Sequence, residues 1–154
     1  LHDTCRRQRQ MCIRDSLYAE QLALEAGLAD NPLDELGILQ SELFRAVRLV
    51  VDTGMHYKRW TREKAMAYMK AKTGMSDTEV RVEIERYIVW PAQALSYKVG
   101  MIKILELRKR AKNALGEKFN IKDFHSALLD HGSPPLFIVE EKVNDMINNA
   151  NSLN

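Results

Sequence analysis

The sequence predicts an all-α protein of about seven, mostly antiparallel helices, and two observations support this prediction. Apolar residues recur at spacings of three and four along nearly the whole chain, which is the period of an amphipathic helix. Capping residues, glycines and prolines divide this periodic sequence at short intervals, and short connections favour antiparallel neighbours. We predict no strand. The predicted helices cover approximately residues 16–27, 34–53, 62–72, 77–90, 92–115, 121–130 and 136–149.

Glycines and caps set the expected ends of the first helices. Gly54 suits the left-handed residue that follows many helices, so we expect the second helix to end at Thr53. Thr61 is placed as the N-cap of the third helix, and Gly74 follows its end. The second helix carries an apolar stripe made of Leu36, Leu39, Leu43, Val47 and Val50.

The middle of the chain has the strongest local pattern. Ser76-Asp-Thr-Glu79 matches a capping box, in which the serine and the glutamate each satisfy a free amide of the first turn. Pro91 disfavours helix at the residue before it and can itself open a helix, so we expect the fifth helix to begin there. Its expected core positions are Leu95, Val99, Ile102 and Leu105. We expect the asparagine-rich C-terminus after residue 149 to fray.

Length and composition indicate one ordinary globular domain. The 154 residues are 45% apolar and 29% charged. The sequence contains no run of about 18 apolar residues, which is the length that a membrane-spanning helix needs. Residues 17–154 hold 19 basic and 19 acidic side chains, so the net charge of +2 comes from the first sixteen residues. A neutral body gives no electrostatic reason to expect nucleic acid as a partner.

Residues 1–16 differ from the rest of the chain. They show no helical or strand period, and they contain both cysteines, Cys5 and Cys12. The run Met-Cys-Ile-Arg-Asp-Ser at 11–16 resembles translated sequencing adaptor. We therefore expect 1–16 to be a non-native or disordered tail and 17–154 to be a single helical domain.

Familiar catalytic motifs are not found. The sequence contains no His-Glu-x-x-His, no phosphate-binding glycine loop and no Gly-x-Ser-x-Gly. His125 and His131 are six residues apart, so they fall on different helix faces and are expected to be surface or cap histidines rather than metal ligands.

The first candidate constellation is in the second helix. Arg45, Arg48 and Asp52 share one helix face, and Arg48 and Asp52 are spaced to pair. His56 follows the predicted helix end, where the helix dipole favours a protonated ring. These residues could form a polar cleft wall that donates hydrogen bonds to an oxyanion, or simply a solvated face with an incidental histidine.

The second constellation combines Gln93, Tyr97 and Gly100 at helical spacing. Glycine inside a helix costs about 1 kcal/mol relative to alanine, so close packing or an open cleft should compensate for it. The phenol and the amide beside that gap could bind a substrate, or the glycine could serve only a helix crossing.

Together these segments resemble a bacterial family known as the domain of unknown function numbered 885. The resemblance covers nearly all of 17–154, in order. The runs that carry it are Leu-Tyr-Ala-Glu-Gln-Leu-Ala at 17–23, Arg-Leu-Val-Val-Asp-Thr-Gly-Met-His at 48–56, Arg-Tyr at 86–87 with Pro-Ala-Gln-Ala-Leu-Ser-Tyr-Lys-Val-Gly at 91–100, and Gly-Glu-Lys-Phe at 116–119 with Asp-Phe-His at 123–125.

The resemblance implies a zinc metallopeptidase of the glutamate-zincin type, of which this chain is the C-terminal part. The family's two zinc histidines and catalytic glutamate lie upstream in a His-Glu-x-x-His helix. Its third ligand lies in a Glu-Gly-Trp run just before Leu-Tyr-Ala-Glu, at positions where this chain has Ile13, Arg14 and Asp15. We therefore expect zinc and a peptide-like substrate in the full-length parent, and no metal site in this chain.

The resemblance also suggests roles for individual residues. Tyr97 and His56 are expected to stabilise the oxyanion, Arg48 and Gln93 to orient the substrate, and Arg86 to bind substrate or only support the structure. Tyr18 and Glu20 are expected to support the first helix.

A chain with these residues alone is expected to form the cleft wall opposite the metal site and to be inactive. It would also expose apolar faces of its first two helices, which the rest of the parent would cover. The alternative is a non-catalytic helical binding or scaffold module. The sequence does not specify an oligomeric state, and it leaves both a periplasmic and a cytoplasmic bacterial location open.

Overall fold

The computed structural model describes residues 15–29, 31–130, 132 and 134–152, and these residues form seven α-helices and no strand. This confirms the all-α prediction. None of the described helices is long and apolar enough to cross a bilayer. The helices are α1 (residues 15–25), α2 (Pro32–His56), α3 (Arg62–Thr73), α4 (Asp77–Val89), α5 (Ser96–Leu115), α6 (Ile121–Leu129) and α7 (Leu136–Ser152), with 3-10 turns at Gln93–Leu95 and Gly116–Lys118.

Helix α4 begins with the predicted capping box. The Ser76 hydroxyl accepts from the amide of Glu79 at 3.3 Å, and the Glu79 carboxylate accepts from the amide of Ser76 at 3.0 Å. Thr61 caps α3 and Asn120 caps α6 in the same way, each accepting from a backbone amide of the first turn. Local sequence therefore determines where these helices begin.

Gly54 does not end α2, contrary to the prediction. The helix continues to His56, and Gly54 is buried within it. A Cβ at Gly54 would lie 2.6 Å from two ring carbons of Trp60, whose amide donates to the Gly54 carbonyl at 2.9 Å. The missing side chain thus makes room for Trp60 to fold back over the helix end.

The fifth helix also begins later than predicted. Ala92 has a φ of 68°, a left-handed value that no α-helix contains, and α5 starts only at Ser96 after the 3-10 turn. Gln93 and Tyr97 therefore do not lie on one continuous α-helical stripe. Val99 and Ile102, predicted to be core, are 40% and 51% exposed.

The last helix is longer than predicted. It continues through the asparagine-rich segment to Ser152, whereas fraying was expected after residue 149. The expectation for residues 1–14 lies outside the described residues, but Asp15 and Ser16 already belong to α1.

The described residues form two compact units. One holds residues 19–99, in which α2 packs on α3, α4 and the first 3-10 turn, and α3 packs on α4. Its core is Val47, Val51, Ala65, Met69, Val80, Ile84, Tyr87 and Ala94. The other joins Tyr18 to the chain from Gly100 onward, with α6 packed on α7. Its core is Tyr18, Ile104, Leu107, Ala111, Leu115, Phe124, Leu128, Val139, Val143 and Ile147. The single-domain expectation stays a prediction.

An apolar row is exposed on α2, as expected from the sequence. Leu33, Leu36, Leu39 and Leu43, called the leucine row below, are 76%, 59%, 50% and 48% exposed. Helix α1 differs, because its Leu17 is 2% exposed.

Candidate functional site

Arg48 is the centre of the candidate site. It lies in α2 with only 1% of its surface exposed, and its Nη2 donates to Oε1 of Gln93 at 3.0 Å. Gln93 reaches it from the 3-10 turn, 45 residues further along the chain. The two residues predicted to orient substrate are therefore in direct contact, although nothing in these contacts tests that role.

The charge of Arg48 is held among aromatic rings. Its guanidinium carbon lies 4.9 Å from the ring centre of Tyr97, 5.2 Å from that of Tyr87 and 5.6 Å from that of Phe44. No carboxylate of the described residues forms an ion pair with it, and its buried Nε has no acceptor there. Burial lowers the pKa of Arg48 from its ordinary value. An arginine nevertheless keeps its charge at neutral pH.

Asp52 does not pair with Arg48, although the spacing allowed it. Both carboxylate oxygens of this buried residue accept from the amide of Ala92, at 3.2 and 3.1 Å. This bond fixes the left-handed residue directly before Gln93. Asp52 therefore acts on the candidate site through the backbone of the turn.

Tyr97 stands in the first turn of α5 with two cations against its ring. The guanidinium carbon of Arg45 lies 4.4 Å from the ring centre, and that of Arg48 lies 4.9 Å from it. The half-buried hydroxyl of Tyr97 has no hydrogen-bond partner within the described part of the chain. It is therefore available to a ligand.

His56 is the exposed last residue of α2. Its Nε2 lies 3.0 Å from the backbone carbonyl of Tyr87, and since a carbonyl only accepts, Nε2 must carry the proton. In the neutral ring, Nδ1 is then an acceptor. His56 can donate to a ligand through Nδ1 only when the ring is protonated.

Arg86 already has a partner in the structure. Its Nη2 lies 2.5 Å from the Glu83 carboxylate, which also accepts a hydrogen bond from the hydroxyl of Tyr87. Burial, and then this hydrogen bond, raise the pKa of Tyr87. Arg86 is thus engaged in a local network rather than directed at Gln93.

Tyr87 is the residue that the sequence analysis missed. It is 1% exposed, and it contacts Arg48 and Arg86 through its ring and His56 through its carbonyl. The spacing of Glu83, Arg86 and Tyr87 on one helix face was the available indication. The link from Tyr87 to α2 is tertiary and has no local pattern.

The described residues do not provide a metal site. No group of three His, Cys, Asp or Glu side chains is close enough among them to hold an ion. His125 instead lies 2.9 Å through Nε2 from the hydroxyl of Tyr18, and burial followed by the charge of Arg108 lowers its pKa. The expectation for His131 lies outside the described residues. The zinc implied by the resemblance therefore does not fit this set of residues.

The fold and this cluster define an all-helical protein with a polar site built around a buried arginine. The sequence model of a bacterial protein family of unknown function, DUF885, matches residues 16–143, and the chain belongs to this family. No curated protein matches the chain.

One solved structure is similar throughout most of the chain. It is that of a candidate lipoprotein from Colwellia psychrerythraea, with 51% sequence identity and a TM-score of 0.87. The match covers 91% of this chain and 24% of that one. The chain thus spans about a quarter of the length of this relative.

Proposed function

We propose that this chain is the C-terminal part of a zinc-dependent, peptidase-like hydrolase, in which it forms the substrate-cleft wall opposite the metal site. The observation that supports this best is the contact of Arg48 with Gln93, together with the Tyr97 ring, whose centre lies 4.9 Å from the guanidinium carbon of Arg48. Buried donors fixed in advance suit the stabilisation of developing charge. On its own the chain is proposed to be inactive.

The structure favours Tyr97 over His56 as the oxyanion donor in this proposal. The Tyr97 hydroxyl has no hydrogen-bond partner among the described residues, whereas His56 already uses Nε2 on the Tyr87 carbonyl. Gln93 would orient the substrate, with Arg48 holding its side chain. Arg86, paired with Glu83, would support Tyr87.

Zinc enters this proposal only through the parent protein. The metal would polarise the scissile carbonyl and activate water there. The described residues supply no group of three ligands, so in this proposal the His-Glu-x-x-His helix of the parent would complete the zinc site.

The first test is to sequence the source DNA upstream of the codon for Leu17 from an independent clone. A reading frame that encodes Glu-Gly-Trp just upstream of Leu17, and His-Glu-x-x-His further upstream, would support the hydrolase. A frame that begins naturally at residues 1–16 would contradict it.

The second test uses the protein encoded by the extended frame. We expect one zinc per chain, hydrolysis of N-acetylated peptides, and a loss of about 100- to 1,000-fold in kcat for Tyr97→Phe with little change in KM. Tyr68→Phe is the matched control, because Tyr68 packs on Trp60 away from the cluster. Equal activity of Tyr97→Phe and the control would remove Tyr97 from the catalytic role.

The leucine row favours a second candidate function, a non-catalytic binding or scaffold module. Exposed apolar rows on a helix are typical of surfaces that bind another protein segment. A cavity of about 310 Å³ lies beside the row and is lined in part by Leu43, Phe44 and Met75. An extended protein without zinc or hydrolysis would favour this module.

A further inference from the structure

We propose that Arg45 and Gln93, held in position by Arg48, form a binding site for a carboxylate group of the ligand. The choice of a peptide carboxylate rests on the proposed function, whereas the site itself rests on the charges and donors of residues 44–97.

Two arginine side chains approach the same two aromatic rings at this site. The guanidinium carbons of Arg45 and Arg48 lie 4.4 and 4.9 Å from the same Tyr97 ring centre, and 5.1 and 5.6 Å from that of Phe44. Within the described ranges, neither guanidinium has a carboxylate within ion-pair distance. Besides burial, the charge of Arg45 lowers the pKa of Arg48, so the two arginines repel each other, and a bound anion would offset that repulsion.

The neighbouring carboxylates are committed to other partners. Asp52 accepts from the Ala92 amide with both oxygens. Glu83 is shared by Arg86 and Tyr87, and Glu42 lies 2.5 Å from Lys98. With Arg86 and Lys98 included, four cations face these three carboxylates, so a charge of 4 − 3 = +1 remains for a ligand to balance.

The orientation of Gln93 makes the site one of donors only. Arg48 donates to Oε1 of Gln93, so the amide Nε2 with its two N–H groups lies on the other side of that side chain. Gln93 and Arg45 are both half-buried, so a ligand can reach them, whereas Arg48 is enclosed. A carboxylate accepts hydrogen bonds and offers none at neutral pH, which matches this set. Arg48 is a positioning residue in this arrangement.

The test is a binding titration of the 154-residue chain followed by NMR. The probes are N-acetyl-dialanine, its C-terminal amide, N-acetyl-aspartate amide and inorganic phosphate. We expect N-acetyl-dialanine to shift the side-chain N–H signals of Arg45 and Gln93, and its amide to leave them unchanged. Binding of N-acetyl-aspartate amide at the same signals would identify a side-chain carboxylate, rather than the peptide C-terminus, as the preferred source.

Two variants and one control assign the site. Arg45→Met should weaken binding of the carboxylate probe by about ten-fold or more, the scale of one charge-assisted hydrogen bond. Gln93→Glu should abolish it, because the new carboxylate would occupy Arg48 and Arg45 from within. Arg81→Met, which removes an exposed arginine of α4, should leave the Kd unchanged. Helical ellipticity at the wild-type value verifies folding of each variant.

Several results would overturn the proposal. These are equal binding of the acid and the amide, an unchanged Kd in Arg45→Met, tighter binding of phosphate than of the carboxylates, or no shift at millimolar probe. The titration requires neither zinc nor turnover. Its failure can therefore be told apart from failure of the proposed hydrolase, which is tested by sequence and activity.

Discussion

Ala92 and Arg59 are the two non-glycine residues with a left-handed backbone in the described part of the chain, and Ala92 is the one at the candidate site. Its φ of 68° is in the left-handed region, and the Asp52 carboxylate holds its amide there. An L-residue with a Cβ pays about 1–2 kcal/mol in this conformation, and glycine does not. This strain lies at the residue directly before Gln93, where the left-handed turn places the Gln93 side chain against Arg48.

Ala92→Gly should therefore stabilise the protein. The relief of backbone strain exceeds the extra entropy that glycine gives the unfolded chain, for a net gain of about 0.5–1 kcal/mol in the free energy of unfolding. Urea denaturation followed by circular dichroism measures it. Ala67→Gly, in the exposed middle of α3, should lose about 1 kcal/mol instead. A loss in both variants would show that Ala92 is not strained.

At the scale of elements, the two glycines of α2 have opposite surroundings. Gly54 faces the Trp60 ring, whereas a Cβ at Gly37 would meet nothing within 4 Å. Trp60 has little freedom to withdraw, because its ring lies 5.5 Å from that of Tyr68 and Lys64 stacks on it at 4.7 Å. The end of α2 is therefore fixed by an aromatic residue that follows it.

Gly54→Ala and Gly37→Ala should change stability in opposite directions. The first forces Trp60 to move and should cost about 1–3 kcal/mol, as overpacking does. The second should gain about 0.5–1 kcal/mol from helix propensity alone. Thermal unfolding of both variants measures the difference. In the background of Trp60→Ala, Gly54→Ala should no longer lower the free energy of unfolding, because the ring that its Cβ would meet is absent.

These elements also show how far sequence reasoning reaches. The caps at Thr61 and Ser76 were predicted because each bond spans only three residues. The beginning of α5 was not, because Ala92 is shaped by Asp52, 40 residues earlier. For the same reason Arg48 and Gln93 could be selected from the resemblance, while their contact and the role of Tyr87 required the tertiary structure.

At the scale of the whole molecule, the leucine row governs behaviour in solution. Four leucines on one helix face have about half or more of their surface exposed, and burying this apolar surface between two chains favours association. We expect the 154-residue chain to self-associate as its concentration rises. Sedimentation equilibrium measures this.

Leu36→Lys combined with Leu39→Lys should shift this association to higher concentration by ten-fold or more, with the helical content unchanged. Leu129→Lys is a suitable control, because Leu129 is a similarly exposed leucine, at 49%, at the end of α6. A wild-type chain that stays monomeric at all concentrations would contradict this expectation.

The two cores differ in how far apart their residues lie in the sequence, and this difference affects the order in which they can fold. Every core residue of the unit formed by 19–99 lies between Val47 and Ala94, and only residues 74–76 separate α3 from α4. Because this stretch of chain is continuous and its loops are short, we expect these contacts to form within about microseconds. The other core includes Tyr18 together with Ile104 and later residues. During synthesis this core can form only after the residues beyond 100 have been made. By that time residues 19–99 can already be compact. Prior collapse of that segment shortens the effective loop that Tyr18 must close. We therefore expect the packing of Tyr18, in α1, into this core to be the slowest step of folding.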